Sequence, residues 1–151
     1  MEKAPILDNV IDPRNLGACI RSAAVTEVDA LIINKHHCAP LNEVAHSVSA
    51  GGAENVRTFF VSNLVNCIKY LKEMNIQIFG LSEHAQMKYI ECDFVQHSAV
   101  IMGSEEFGIR KKTEENCDYL IKLNTNKNFK SFNVSVATGI ILSEIARQRT
   151  C

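Results

Sequence analysis

The chain has 151 residues, of which 46% are hydrophobic and 22% are charged, and its formal net charge is −1. These values are typical of one globular domain, and we expect residues 1–151 to form a single one. The near-zero charge argues mildly against a general nucleic-acid binder, whose surface is usually strongly basic. The N-terminus lacks a signal-peptide pattern, and no apolar run approaches the roughly 18 residues of a membrane span, so the sequence favours a cytosolic protein without a membrane partner.

Apolar, β-branched segments alternate with helical patterns in chain order, which predicts an α/β domain with a mainly parallel sheet and helices on both faces. The predicted strands cover residues 6–10, 30–33, 56–61, 76–81, 99–102 and 119–123. Two helices with apolar residues at i, i+3, i+4 and i+7 lie between them. One follows Asp12-Pro13, and the other follows a Ser62 cap. Their apolar stripes are Leu16, Cys19, Ile20 and Ala23 in the first, and Leu64, Cys67, Ile68 and Leu71 in the second.

The last predicted helix, about residues 133–147, is apolar on more than one side. Val134, Ala137, Ile141 and Ile145 form one stripe, while Val136 and Ile140 lie well off it. A helix of this kind is usually buried on more than one side. The pattern indicates either a central helix or a subunit interface.

The six cysteines are scattered, and no two stand at metal-ligand spacing. In a cytosolic chain, we expect them to be reduced and mostly buried. His36 and His37 stand next to Cys38 and superficially resemble a ligand cluster, but a zinc site takes its ligands from two separated pairs. We therefore expect a solvated loop there, and no metal.

The stretch from Asp8 to Arg21 has the pattern of a strand, a loop and a helix. At about 100° per residue, Arg21 lies about 140° from Leu16, on the same side as Arg14 and off the apolar stripe. An arginine suits phosphate because its planar fork donates two hydrogen bonds and stays charged. Two solvated arginines would give the same pattern, but Asn15 stands near the helix start, and ligands bind in loops that follow parallel strands.

A second candidate is the loop Gly103-Ser104-Glu105-Glu106-Phe107-Gly108, directly after a predicted strand. Glycines after a strand let the backbone approach a ligand closely. Neither the dinucleotide fingerprint nor a Walker A sequence occurs here. By itself, this loop is equally typical of an ordinary turn.

A third candidate is the stretch of residues 131–139, which opens the last helix. Ser131 or Asn133 could cap that helix. Either side chain could instead line a pocket, and the positions of Ser131 and Asn133 in the sequence are compatible with both roles.

Together, these three stretches resemble motifs one, two and three of the SpoU family of RNA 2′-O-ribose methyltransferases, in the SPOUT superfamily. The resemblance runs from Ile6 to Arg149, and it is closest to the branch that acts on a guanosine of large-subunit ribosomal RNA, through LDNVIDPRNLGACIRSA and NVSVATG. It implies S-adenosylmethionine as cofactor, structured RNA rather than DNA as substrate, and a homodimer. It also implies a deep trefoil knot near the C-terminus, a rare exception to the rule against threaded loops.

Carried over residue by residue, the resemblance implies a catalytic set and a cofactor set. The catalytic residues are Asn15 and Arg21 from the first motif, Glu105 from the second and Asn133 from the third; the cofactor residues are Gly103, Leu123, Ser131 and Phe132. A ribose hydroxyl is a weak nucleophile that must lose or share its proton as it attacks the sulfonium methyl. Because a guanidinium stays protonated in proteins, we assign Arg21 orientation and electrostatic activation, aided by an RNA phosphate, and leave the proton acceptor open.

The chain departs from the family pattern at two places. Residues 124–127 read Asn-Thr-Asn-Lys where relatives usually carry Pro-Met-x-Gly, and Phe132 replaces a usual Leu. Close relatives also carry an N-terminal RNA-binding domain, whereas here the catalytic domain begins almost at Met1. Two alternatives follow: modification of transfer RNA, since the motifs do not encode the substrate, and a non-catalytic RNA-binding dimer with a cofactor loop impaired at Lys127.

Overall fold

The structure is a computed structural model that describes residues 3–104, 107–124, 126, 128 and 132–150. Within these ranges the strands are β1 (Lys3–Leu7), β2 (Leu31–Asn34), β3 (Thr58–Val61), β4 (Gln77–Leu81), β5 (Met87–Lys88), β6 (Ser98–Met102) and β7 (Tyr119–Lys122). The helices are α1 (Pro13–Val25), α2 (Glu43–Ser49), α3 (Gly52–Asn55), α4 (Leu64–Glu73), α5 (Lys111–Glu115) and α6 (Val134–Arg149), with a 3₁₀ turn at Tyr89–Glu91. Three positions singled out from the sequence, Glu105, Lys127 and Ser131, lie outside the described residues.

The strands form one sheet in the order β3-β2-β1-β6-β4-β7-β5, and each adjacent pair is parallel. This confirms the predicted α/β fold with a parallel sheet. Because all strands run the same way, the loops that follow β1, β4, β6 and β7 leave the same edge of the sheet. The trefoil knot stays a prediction.

Apolar residues on the two faces of the sheet form two cores. Leu7, Ile33 and Val100 pack with α1 and α6 on one face. On the other face, their sequence neighbours Ile6, Ile32 and Ile101 pack with α4. Alternation along each strand sends neighbouring side chains to opposite faces. Helices therefore cover both faces, as predicted.

The predicted strand at residues 6–10 is placed too late in the chain. β1 covers Lys3–Leu7 and ends before Asn9, whose φ of 63° is left-handed and cannot continue a strand. The strand predicted to start at residue 56 starts at Thr58, because Val56 ends α3. The remaining predicted strands are found within one residue at each end.

The two amphipathic helices are found where their apolar stripes predicted them. Asp12 caps α1 by accepting a hydrogen bond from the backbone N–H of Arg14, and Pro13 occupies the first turn, where its missing N–H costs nothing. The predicted Ser62 cap of α4 is wrong. Asn63 caps that helix, because its side chain accepts a hydrogen bond from the backbone N–H of Asn66.

The last helix, α6, buries the predicted stripe and leaves a second apolar position open. Val134, Ala137, Ile141 and Ile145 are buried, whereas Val136 is 49% exposed. Within the described residues, therefore, α6 is buried along one side, while its second apolar side is half-buried at Ile140 and exposed at Val136. No helix in the described part of the chain is both long enough and apolar enough to cross a membrane.

The five described cysteines are free thiols. Cys19 and Cys92 are buried, and the other three are half-buried, so the expectation of mostly buried thiols holds only in part. Burial raises the pKa of Cys19 and of Cys38 to about 11. These two thiols therefore stay protonated near neutral pH and are poor nucleophiles.

Candidate functional site

A cleft of about 240 Å³ opens at the carboxyl edge of the sheet. It lies between the loops that follow β4, β6 and β7 and the start of α6. Met102, Ile121, Val134 and Ala137 supply buried apolar side chains to its lining. Such a site, largely apolar with a few polar groups at the carboxyl ends of parallel strands, is the usual place for a small ligand in an α/β fold.

The loop after β6 forms one wall of the cleft and turns back tightly on itself. The backbone N–H of Gly108 donates to the carbonyl oxygen of Ser104 at 2.8 Å, and that of Phe107 donates to the Ser104 hydroxyl at 3.1 Å. A Cβ atom on Gly103 would lie 2.2 Å from the carbonyl carbon of Gly108. Residue 103 must therefore be glycine for the two limbs of the loop to pack together.

Three of the four predicted cofactor residues meet at this cleft. Gly103, Leu123 and Phe132 all line it, although they come from three separate stretches of the chain. Phe132 is 42% exposed, so part of its side chain is in contact with solvent at the edge of the cleft. The fourth, Ser131, is outside the described residues, as is the catalytic candidate Glu105.

Asn15 and Asn133 meet beside the cleft. The Nδ2 of Asn133 donates a hydrogen bond to the Oδ1 of Asn15 at 3.3 Å. The Oδ1 of Asn133 accepts from the backbone N–H of Ser135 at 2.9 Å and so caps α6. Asn133 therefore caps α6 and also joins the first and third motifs. It does so at the edge of the site, because its neighbour Phe132 lines the cleft.

Arg14 and Arg21 lie on the exposed side of α1, as the helical spacing predicted. Asn15 and Arg21 are six residues apart, which separates them by about 9 Å along the helix axis. Neither arginine is among the described residues that line the cleft. Within one chain, the structure brings Asn15 to Asn133 and leaves Arg21 facing outward.

Sequence reasoning missed the cleft residues supplied by the loop after β4. Ser82, Glu83 and His84 line the cleft, and the Glu83 carboxylate lies 3.3 Å from the Nε2 of His84. The strand before them was predicted, but its place in the sheet was not. β4 lies between β6 and β7, and only this order brings its following loop to the cleft.

The comparisons with known proteins assign the family. The model of the SpoU rRNA Methylase family matches residues 4–143. The chain belongs to the SpoU rRNA Methylase family. It is 44% identical over 145 residues to a 23S rRNA (guanosine-2′-O-)-methyltransferase, RlmB, of Salmonella typhi, with 96% of this chain and 60% of the relative covered. The chain spans about three fifths (58–60%) of the length of the curated relatives that it matches.

Solved structures of SpoU proteins share the fold. The A. aeolicus TrmH/SpoU tRNA modifying enzyme superposes with a TM-score of 0.88 at 28% identity, over 98% of this chain and 75% of that one. The SpoU methyltransferase AviRb from Streptomyces viridochromogenes, solved in complex with the cofactor AdoMet, superposes with a TM-score of 0.89 at 24% identity, over 97% of this chain and 57% of that one. The resemblance to the SpoU family is thus confirmed at the level of family and of the parallel α/β fold.

Proposed function

We propose that the chain transfers a methyl group from S-adenosylmethionine to the 2′-hydroxyl of a guanosine ribose in large-subunit ribosomal RNA. One observation carries the proposal: a glycine-walled cleft lies beside the Asn15–Asn133 pair in a chain 40–44% identical to ribosomal RNA guanosine-2′-O-methyltransferases. We treat residues 1–151 as one catalytic domain and propose that it acts in the cytosol.

The residues that line the cleft suit S-adenosylmethionine in their chemistry. Gly103 lines the cleft, and its lack of a Cβ lets the returning limb at Gly108 pack against it to form the cleft wall. The apolar lining from Met102, Ile121 and Val134 offers a surface for an aromatic base. A neighbour of the same fold was solved with AdoMet bound. When bound, this cofactor supplies an activated methyl group on a sulfonium centre.

We assign the chain's own residues separate tasks in the reaction. Asn15 and Asn133, joined by a hydrogen bond, orient the ribose at the open side of the cleft. Arg21 directs the hydroxyl and offsets the negative charge that develops on its oxygen, because its guanidinium stays protonated. Glu105 and Ser131 complete the catalytic and cofactor sets by their place in the family motifs.

We also propose that the active form is a homodimer. Val136 on α6 is 49% exposed, so an apolar side chain is left uncovered on the helix that begins at the cleft. We propose that a second copy covers Val136 and that its α1, which carries Arg21, lies near the site. Sedimentation at micromolar concentration should give about twice the 16.8 kDa mass of one chain. Val136→Asp should shift the mass to one chain, and a wild-type mass of one chain throughout would contradict the dimer.

Transfer RNA is the second candidate substrate, because a tRNA modifying enzyme shares the fold at 28% identity. A single experiment separates the two substrates. Tritiated S-adenosylmethionine is incubated with the chain and with either unmodified large-subunit ribosomal RNA or unmodified transfer RNA. The proposal expects label in the ribosomal RNA alone. Label in transfer RNA alone would replace the substrate, and label in neither, with no cofactor binding, would favour a non-catalytic RNA-binding dimer.

A further inference from the structure

Asp8 is fully buried at the end of β1 and does not line the cleft, yet it contacts the loop that forms the cleft wall. Its Oδ2 accepts a hydrogen bond from the backbone N–H of Arg110 at 2.9 Å. Its Oδ1 accepts a hydrogen bond from the Nδ2 of Asn34 at 2.8 Å. A buried carboxylate is stable only when such donors compensate its lost hydration. The side chain of Asp8 therefore depends on Arg110 staying where the structure places it.

The chain around Asp8 also contacts the loop at two other points. The backbone N–H of Asp8 donates to the carbonyl oxygen of Met102 at 2.9 Å, directly before Gly103. The Nδ2 of Asn9 donates to the carbonyl oxygen of Gly108 at 3.3 Å. Asp8 and Asn9 thus contact the loop at three points. These are Met102, where the loop begins, Gly108 on its returning limb, and Arg110, where it ends.

Asn34 supports this arrangement from β2. It is 1% exposed, and its Nδ2 donates to Asp8, while its Oδ1 is without a hydrogen-bond partner among the described residues. A buried polar atom left in this state destabilises the folded protein. The arrangement is therefore organised around the Asp8 carboxylate, with Asn34 supplying one of its two donors.

We infer that Asp8 is a positioning residue for the cofactor cleft. Its carboxylate holds Arg110, and with it the returning limb that packs against Gly103, in the arrangement that shapes the cleft wall. The same residue starts the segment that leads to Asn15, so the cleft loop and the RNA-facing motif keep a fixed spacing. This inference rests on the proposed function, since it takes the held loop to bind S-adenosylmethionine.

Two variants of Asp8 test the inference by calorimetry with S-adenosylmethionine. Asp8→Ala removes both acceptors and should weaken binding about tenfold, which corresponds to about 1.4 kcal/mol. Asp8→Asn should stay within about threefold of wild type, because its amide oxygen can accept from Arg110 and its NH₂ can donate to the Oδ1 of Asn34 once the Asn34 amide turns over to present that oxygen in place of its Nδ2. Binding by Asp8→Ala within twofold of wild type would overturn the inference.

A second pair of variants tests the same hydrogen bond from the Arg110 side, in case Asp8→Ala does not fold. Arg110 has a φ of −65°, which proline adopts, so Arg110→Pro deletes the donor N–H with little backbone change. Arg110→Ala is the matched control, because it loses the same guanidinium and keeps the N–H. Arg110→Pro should weaken cofactor binding about tenfold relative to Arg110→Ala, and equal binding by the two would overturn the inference.

A readout without cofactor separates this inference from the proposed function. Amide hydrogen exchange at Arg110, followed by NMR, should be about tenfold faster in Asp8→Ala than in wild type or Asp8→Asn. Unchanged exchange would show that Asp8 does not hold the loop, whatever the chain binds. If the wild-type chain binds no S-adenosylmethionine, the proposed function fails, and the positioning of a cofactor loop fails with it.

Discussion

Replacing Gly103 by alanine tests the cleft wall directly. The new Cβ would lie 2.2 Å from the carbonyl carbon and 2.3 Å from the carbonyl oxygen of Gly108, and 2.4 Å from the backbone nitrogen of Ile109. Carbon atoms in contact are about 3.5–4.0 Å apart, so the returning limb must move by about 1 Å or more. These neighbours are backbone atoms and cannot rotate away. Forcing a methyl group into such a place costs about 1–3 kcal/mol.

The shift should appear both in cofactor affinity and in stability. A displacement of about 1 Å in the wall of a binding site is large enough to lower affinity about tenfold or more. A cost of about 1–3 kcal/mol lowers the melting temperature of a domain of this size by roughly 2–12 °C. Calorimetry with S-adenosylmethionine and a thermal melt measure the two effects.

Gly139→Ala is the matched control for this experiment. A Cβ there would meet only the Ser22 hydroxyl within 4 Å, at an ordinary contact distance of 3.7 Å. Gly139 lies inside α6, where alanine is favoured over glycine by about 1 kcal/mol. Its melting temperature should hold or rise, with affinity unchanged. If Gly103→Ala bound cofactor within twofold of wild type and melted at the same temperature, the account of the cleft wall would be refuted.

Three further predictions concern catalysis, stability and pH. Arg21→Ala and Arg21→Lys should both abolish methyl transfer. Cofactor affinity and the melting temperature should barely change, because truncating an exposed side chain costs about 0.5 kcal/mol or less of the free energy of unfolding. Activity retained in Arg21→Ala would show that Arg21 has no part in the mechanism. Gln148→Ala should lower the melting temperature with cofactor affinity intact, because its Oε1 accepts from the backbone N–H of Phe94 at 2.7 Å; an unchanged melt would contradict this. Burial raises the pKa of Cys19 and Cys38 from an ordinary 9.0 to about 11, so their contribution to the free energy of unfolding is full below pH 9 and lost as the pH rises to about 11. Urea unfolding at pH 8 and pH 10.5 measures the loss, and a loss of stability between these pH values that is as large in Cys19→Ala/Cys38→Ala as in wild type would disprove it.

The architecture could be predicted from the sequence wherever an element is long enough to show its period. The stripe from Leu16 to Ala23 fixed the buried side of α1, and six of the seven described strands follow from apolar β-branched runs. The helices α2, α3 and α5 were missed because they have seven, four and five residues, too few for a clear 3.6-residue pattern. The end of β1 was misplaced because it depends on the left-handed conformation of Asn9, which apolar patterning does not report.

Only the site residues that lie within recognisable sequence motifs could be predicted. Gly103, Leu123 and Phe132 belong to recognisable stretches, and the structure brings them to one cleft. Glu83 was missed because its place there depends on the order of strands in the sheet. The contact from Asp8 to Arg110 joins residues 102 positions apart, and such a pairing depends on the packing of whole loops rather than on local spacing.

The position of the transferred methyl group is the most direct test of the central claim. Unmodified large-subunit ribosomal RNA is incubated with the chain and S-adenosylmethionine, digested to nucleosides and separated by liquid chromatography with mass spectrometry, with Arg21→Ala as the inactive control. The account predicts 2′-O-methylguanosine with wild type, at a level well above that of the control. A methyl group on a base, or 2′-O-methylguanosine at equal levels in wild type and Arg21→Ala, would contradict it.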